Sequence, residues 1–329
     1  MGLVSSLVKS NSLHIQGDYF VVELAQLKAG VTCTFDLYLG LKAGGAPVLY
    51  RTADLDFTEF EKSRLLERGI DRVLVPLKQR NTYQRYLEKH MGSLLKDPAI
   101  STEEKSGIMY ESAQGLVQDL LGNPHAHDLK ERAGSMVEHT VNFMYNNSDS
   151  FQHLMAVSSY DYYTYTHSVN VFVYASALAQ RLGHTQSELR VFGEGALLHD
   201  LGKSRVDLNI INSSGKLTEE EWVQMKAHPS IGCELLLAQD VRNPVILDVT
   251  RHHHEKLNGR GYPDGLANDE ISRWARICTI ADIFDALTTK RSYKDAMDSF
   301  AALQFMRDRM RDELDPDIFR VFVELMGRH

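Results

Sequence analysis

His199 and Asp200 are adjacent, and Lys203 follows four residues after the histidine. An imidazole and a carboxylate are both metal ligands. On a continuing helix, residues four apart share a face. The segment therefore predicts a metal site with a cation beside it, a combination suited to phosphate. More ligand types follow the same pattern. His167 precedes an apolar run (Val169, Phe172, Val173, Ala177), and His228 with Pro229 follows a helix opened by Thr218 and Glu219, Glu220 and Glu221. His253 and His254 stand before Glu255, and Asp282 lies within the apolar stretch Ile277 to Phe284. A lone carboxylate in that stretch is expensive to bury, so Asp282 reads as a metal ligand or ion partner. Counted together, His167, His199, Asp200 and Asp282 can hold one ion. Asp200, His228, His253 and His254 can hold a second, with Asp200 shared. Mixed imidazole and carboxylate donors suit iron, manganese or zinc better than magnesium or copper. Two divalent ions, most simply iron or manganese, ~3.5–4 Å apart clamp both sides of an in-line phosphoryl displacement and lower the pKa of a shared water to about 7. His14, His90, His125, His139 and His184 are scattered and read as surface or structural imidazoles.

The chain has 329 residues, 43% hydrophobic and 24% charged, so two globular domains are expected. Its net charge of −8 argues against a nucleic-acid polymer as substrate and leaves room for a small anion. Cys33, Cys233 and Cys278 are distant from one another and form neither a disulfide framework nor a zinc pattern. Reduced thiols in a cytoplasmic protein are expected. No signal peptide and no membrane span are read in the sequence.

The elements that must carry these residues differ between the two halves. Residues 31–39 alternate, with Val31, Cys33, Phe35, Leu37 and Leu39 on one side, which predicts one half-buried strand. Gly44-Gly45 predicts a turn, and Pro47 to Arg51 a pairing strand. Thr58 and Glu61 form a capping-box signal for a helix stopped by Gly69. Ile70 to Leu77 reads as a strand, and a second helix begins near Asn81. Ser101 and Glu104 cap a helix running to about Gly122, another covers roughly 128–146, and a turn is expected over 146–150. Beyond that point helical periodicity dominates. The expected fold is α+β overall: a small α/β N-terminal domain over 1–95, a helical connector over 96–150, and an all-α helical-bundle catalytic domain over 151–329.

His199-Asp200-Leu201-Gly202-Lys203 together with His253-His254-Glu255-Lys256-Leu257-Asn258-Gly259-Arg260-Gly261-Tyr262-Pro263 resembles the HD-GYP family, a subset of HD-superfamily metal phosphohydrolases acting on cyclic dinucleotides in bacteria. Gly215-Lys216-Leu217-Thr218, His228-Pro229 with Gly232, and Ala281-Asp282-Ile283-Phe284-Asp285-Ala286-Leu287-Thr288 through Arg291 and Tyr293 extend the resemblance over about 160–325. It implies that His167, His199, Asp200, His228, His253, His254 and Asp282 are metal ligands and that Lys203 contacts the substrate phosphate. It implies phosphodiester contacts from Arg291 and Lys294, and a pocket-shaping, partner-binding loop at Gly261, Tyr262 and Pro263. The implied reaction is hydrolysis of a cyclic dinucleotide, most simply cyclic di-GMP, to the linear dinucleotide, with a second cut to GMP left open, by attack of a hydroxide shared between the metals. The implied partners are that substrate and a diguanylate cyclase or other signalling protein.

The chain departs from the pattern in places. Tyr163 occupies the position where some relatives carry a glutamate for a third ion, so two ions are expected. Asn258 replaces the usual aspartate and Leu257 a common aromatic. A phosphodiesterase preferring cyclic GMP-AMP and a slow-turnover cyclic dinucleotide receptor are the competing readings. A zinc peptidase is excluded, since His252-His253-His254-Glu255 lacks the His-Glu-x-x-His spacing. The N-terminal domain is expected to be regulatory or partner-binding, with a structural cap as the alternative, and the connector helices around 101–147 either to mediate dimerisation or to pack on the catalytic domain.

Overall fold

The computed structural model describes residues 15–40, 46–158, 163–213, 215–290 and 296–327. The Gly44-Gly45 turn, Arg291, Tyr293 and Lys294 lie outside the described residues. The chain divides into two compact units, Met1–Gly115 and Leu116–His329.

The first unit is built on antiparallel sheet. Its strands are β1 (Ile15–Gln16), β2 (Tyr19–Glu23), β3 (Val31–Cys33), β4 (Leu37–Leu39), β5 (Val48–Arg51), β6 (Leu55–Phe57) and β7 (Arg72–Pro76). Five of them form a sheet in the order β1-β2-β7-β4-β5, and β3 pairs with β6 separately. The predicted strand over 31–39 is therefore two strands in two sheets. The inside–outside alternation holds, with Cys33, Phe35 and Leu37 buried, but the ladder breaks at Asp36. That residue's carboxylate accepts from the Ala53 amide at 2.7 Å, and its own amide donates to Gln79 at 2.9 Å. Those local bonds replace a strand partner and turn the chain between sheets. The Pro47–Arg51 expectation is met by β5, which pairs antiparallel with β4. Helix α1 (Glu59–Glu67) starts at the expected Thr58–Glu61 capping box, and Gly69 follows it at φ 69°. Helices α2 (Arg80–Leu94) and α3 (Thr102–Gly122) complete the series, and the division between units falls within α3. Phe20, Phe35, Phe57 and Tyr83 fill the core of the first unit.

The second unit is helical: α4 (Leu129–Asn146), α5 (Ser150–Val157), α6 (Thr164–Arg181), α7 (Gln186–Leu198), α8 (Leu208–Ile211), α9 (Glu219–Lys226), α10 (His228–Ala238), α11 (Pro244–His252), α12 (Arg273–Thr288), α13 (Ser299–Arg309) and α14 (Pro316–Met326). Helix α6 packs between α7 and α12, and α7 also packs on α4 and α11. Phe172, Phe192, Phe284 and Phe322 are fully buried among them. The α+β class is borne out. No helix among the described residues is long and apolar enough to cross a membrane.

Candidate metal centre

Five of the seven candidate ligands sit where helices begin or have just ended, Asp200 and His254 directly after the C-caps of α7 and α11. His199 is the C-cap of α7, His253 the C-cap of α11, and His228 the first residue of α10. A helix end leaves carbonyls without intrahelical donors, and these rings use them. His199 Nδ1 lies 2.7 Å from the Ala196 carbonyl, His228 Nδ1 2.7 Å from that of Met225, and His253 Nδ1 2.9 Å from that of Thr250. Because a carbonyl only accepts, each Nδ1 carries the ring proton, and each Nε2 presents a lone pair inward. His254 follows directly. The remaining ligands come from helix interiors: His167 from the first turn of α6 and Asp282 from the middle of α12.

Asp200 is at the centre. Its Oδ2 lies 3.5 Å from both His167 Nε2 and His199 Nε2, and its Oδ1 lies 3.2 Å from His228 Nε2 and 3.9 Å from His253 Nε2. The two carboxylate oxygens thus face two different groups of histidines. His167, His199 and Asp282 converge with ligand atoms within 4.8 Å of one another, and so do Asp200, His228, His253 and His254. Asp282 spans the groups, with Oδ1 3.0 Å from His167 Nε2 and Oδ2 3.4 Å from His254 Nδ1.

Three features fit these residues to divalent cations. His228 Nε2 and His253 Nε2 face each other at 3.3 Å although both rings hold their proton on Nδ1. Two lone pairs so placed repel unless a cation lies between them. His199 Nε2 and Asp200 Oδ1 are buried without a hydrogen-bond partner among the described residues, a state that is costly for polar atoms. Burial also keeps the rings neutral: it lowers the His228 pKa, lowers that of His253 well below the usual imidazole range, and pushes His254 down to about 3. Burial opposes ionisation of Asp200 too, but the Lys203 ammonium and the neighbouring imidazoles hold its carboxyl well below the usual range. Neutral imidazoles and an ionised carboxylate are the forms that ligate metal.

Lys203 reaches the site by a route other than the one expected. Helix α7 ends at Leu198, and residues 201–205 form a 3-10 turn. The Lys203 amide bonds back to the Asp200 carbonyl at 2.9 Å, and Nζ lies 2.5 Å from Asp200 Oδ2. The turn lies tight against α10, because a Cβ on Gly202 would fall 1.9 Å from the His228 carbonyl oxygen, and α10 lies close to α11, because one on Gly232 would fall 2.9 Å from Thr250.

Two residues quoted only as parts of motifs prove to be organisers. Asp285 is buried and lies 2.7 Å from His167 Nδ1, while its other oxygen accepts from Asn170 at 2.8 Å. Its spacing of three from Asp282 on an apolar helix was the available signal. Glu255 is buried and accepts from the backbone amides of Asp264, Gly265 and Leu266 at 2.7, 3.0 and 3.1 Å. It staples the Gly261-Tyr262-Pro263 loop beside His254. A Cβ on Gly261 would lie 2.4 Å from Glu255 Cα, so the loop approaches this closely only with glycine. The Tyr262 ring stands 4.7 Å from that of His254. Asn258 anchors the start of the loop, donating to Asp312 at 3.1 Å and accepting from the Arg260 amide at 3.1 Å.

With the site assembled, relatives can be compared. The HD domain family matches residues 135–318, more than half of the chain. A cyclic di-GMP phosphodiesterase of Pseudomonas aeruginosa is 36% identical over 228 residues, covering 69% of this chain and 53% of the relative. A 3'3'-cGAMP-specific phosphodiesterase of Vibrio cholerae is 40% identical over 157 residues, covering 48% of this chain and 34% of the relative. The match thus spans about half of the first relative's length and about a third of the second's. Among solved structures, an HDG"Y"P protein from Bdellovibrio bacteriovorus superposes with a TM-score of 0.64 over 94% of this chain and 100% of that one, at 20% identity, which is a likeness of fold. The chain belongs to the HD domain family. The resemblance to its HD-GYP members, read from the motifs, is borne out.

Proposed function

We propose that the protein is a metal-dependent cyclic dinucleotide phosphodiesterase. The observation that carries this reading is the division of labour at Asp200, whose two oxygens face separate histidine groups. In this reading His167, His199 and Asp282 hold one divalent ion, His228, His253 and His254 hold another, and Asp200 is shared. Ions so held supply an acidified water and positive charge at the phosphoryl oxygens, and iron or manganese suits this donor set. Lys203, beside Asp200, adds a point charge for the phosphate. Asp285 fixes the ring of His167, and Glu255 fixes the loop that brings Tyr262 to the mouth. Arg291 and Lys294 are proposed as further phosphate contacts. The names of the relatives support both cyclic di-GMP and cyclic GMP-AMP as substrates. Three unpaired, buried cysteines suit a reducing compartment, and we place the protein in the cytoplasm. A regulatory role for residues 1–95, and pairing with a signalling protein or a second copy through 96–150, complete the proposal.

The test is to purify the protein without oxygen, measure its bound metal, and supply cyclic di-GMP and cyclic GMP-AMP side by side. Linear dinucleotide formed in the presence of iron or manganese is the expected result. No product from either substrate in metal-replete protein refutes the enzyme. Tight binding with negligible turnover would favour a receptor.

A further inference from the structure

Helix α9 stands apart from the rest of the second unit: it has no buried side chain. Its Trp222 is 46% exposed and Val223 65% exposed, and Leu208 on α8 is 70% exposed. About half of the indole surface is thus left to solvent, open to a flat partner. The position of Trp222 points to what binds. Its ring lies 6.1 Å from Tyr262 at 73°, and Tyr262 in turn lies 4.7 Å from His254 and 6.5 Å from His228. The indole is thus separated from the candidate metal ligands by a single aromatic ring. Lys226, one turn further along α9, holds its ammonium 6.0 Å from the indole centroid, while Glu219, Glu220 and Glu221 precede the indole on the same helix. A flat apolar face beside a cation, one ring from a phosphate-handling centre, matches a nucleotide: phosphate at the metals, base on the indole.

We propose that Trp222 is the stacking platform for one purine base of the cyclic dinucleotide and determines affinity for base-bearing substrates; this rests on the phosphodiester reading of the site. Tryptophan stacks on any nucleobase through its π-face, and such stacking contributes about 1–3 kcal/mol per base. Removing it raises KM by about fivefold to 150-fold. The chemical step, carried by residues on α6, α7, α10, α11 and α12, keeps its kcat. Because Trp222 is half exposed, its replacement leaves the fold intact.

The experiment uses the full chain loaded with manganese and compares wild type, Trp222→Phe and Trp222→Ala. Expected is a large rise in KM for cyclic di-GMP in Trp222→Ala, most of it restored in Trp222→Phe. The inhibition constant of inorganic phosphate, which has no base, is expected to stay the same in all three. An unchanged KM in Trp222→Ala overturns the proposal, and so does an equal loss of phosphate inhibition, which would mean that the centre itself was disturbed. A second readout separates this proposal from the enzyme reading. The chain has two tryptophans, Trp222 and Trp274, so quenching by cyclic di-GMP that disappears in Trp222→Phe reports base contact without any turnover. If wild type hydrolyses no cyclic dinucleotide, the enzyme reading falls while such quenching still supports the platform. Absence of quenching refutes it.

Discussion

At the scale of single residues, the site depends on how each ligand atom is aimed. Asp200→Ala removes the group shared by both histidine sets, so metal content measured by elemental analysis should fall to background and turnover with it. Retained activity would refute the shared-ligand assignment. Asp285→Asn tests a subtler effect. The amide still fits, but it no longer supplies the negative charge that holds His167 in one tautomer and raises its basicity. Metal affinity should weaken by about 10- to 100-fold with little change in melting temperature. The sequence made the ligands legible because their types and order are chemical. Asp285 and Glu255 were visible only as motif letters, because their work is to bond His167 Nδ1 and three loop amides, and partners 118 and 9–11 residues away are set by folding.

At the scale of elements, the centre exists because helix ends and one turn meet closely. Gly202→Ala places a methyl group against the His228 carbonyl, so the turn bearing Lys203 must move away from α10. We expect a loss of about 1–3 kcal/mol from overpacking and, in the protein that still folds, impaired metal retention, read together by thermal melting and metal analysis. Wild-type metal affinity in Gly202→Ala would show that the close contact is dispensable. Helix positions were legible from capping boxes, as at Thr58 with Glu61 and Thr218 with Glu221, because a cap is a local bond. The route of Lys203 was not. Helix periodicity predicted a shared face with His199, whereas the chain leaves the α-helix at His199 and tightens into a 3-10 turn. The break in the 31–39 strand was hidden for the same reason, since it depends on Asp36 meeting Ala53 and Gln79.

At the scale of the whole molecule, stability depends on what each unit buries. In the first unit, Glu111 Oε1 is buried without a hydrogen-bond partner among the described residues, and burial raises its pKa from 4.5 to about 7 despite a hydrogen bond from Gln26 and the nearby charge of Arg80. The folded-state value lies above the unfolded one, so the protonated side chain favours the fold. That contribution is fully present below about pH 4.5 and is lost as pH rises to about 7. Glu111→Gln should therefore be more stable than wild type at pH 8 by about 3 kcal/mol, with the difference closing near pH 4 in denaturant titrations. Equal stability at both pH values would mean that the carboxylate is solvated when folded. In the second unit, metal that binds only the folded chain would stabilise it by mass action, by about 4 kcal/mol at a thousandfold excess over Kd, and so raise the melting temperature. A chelator should reverse this in wild type and have no effect in Asp200→Ala.

The sequence by itself determined the candidates for the chemistry: seven candidate ligands in a fixed order, a lysine beside the first pair, a glycine-bearing loop after the last histidines, and a helical second half to carry them. Those properties are written in residue type and short-range spacing, which survive without a fold. Only the tertiary structure decided how the ligands divide. The two oxygens of Asp200 face different histidines because α7 and α11 end, and α10 begins, at one point, and they can meet there because Gly202 and Gly232 carry no side chain to hold them apart. Such closeness comes from the packing of segments distant in sequence, and no local pattern encodes it.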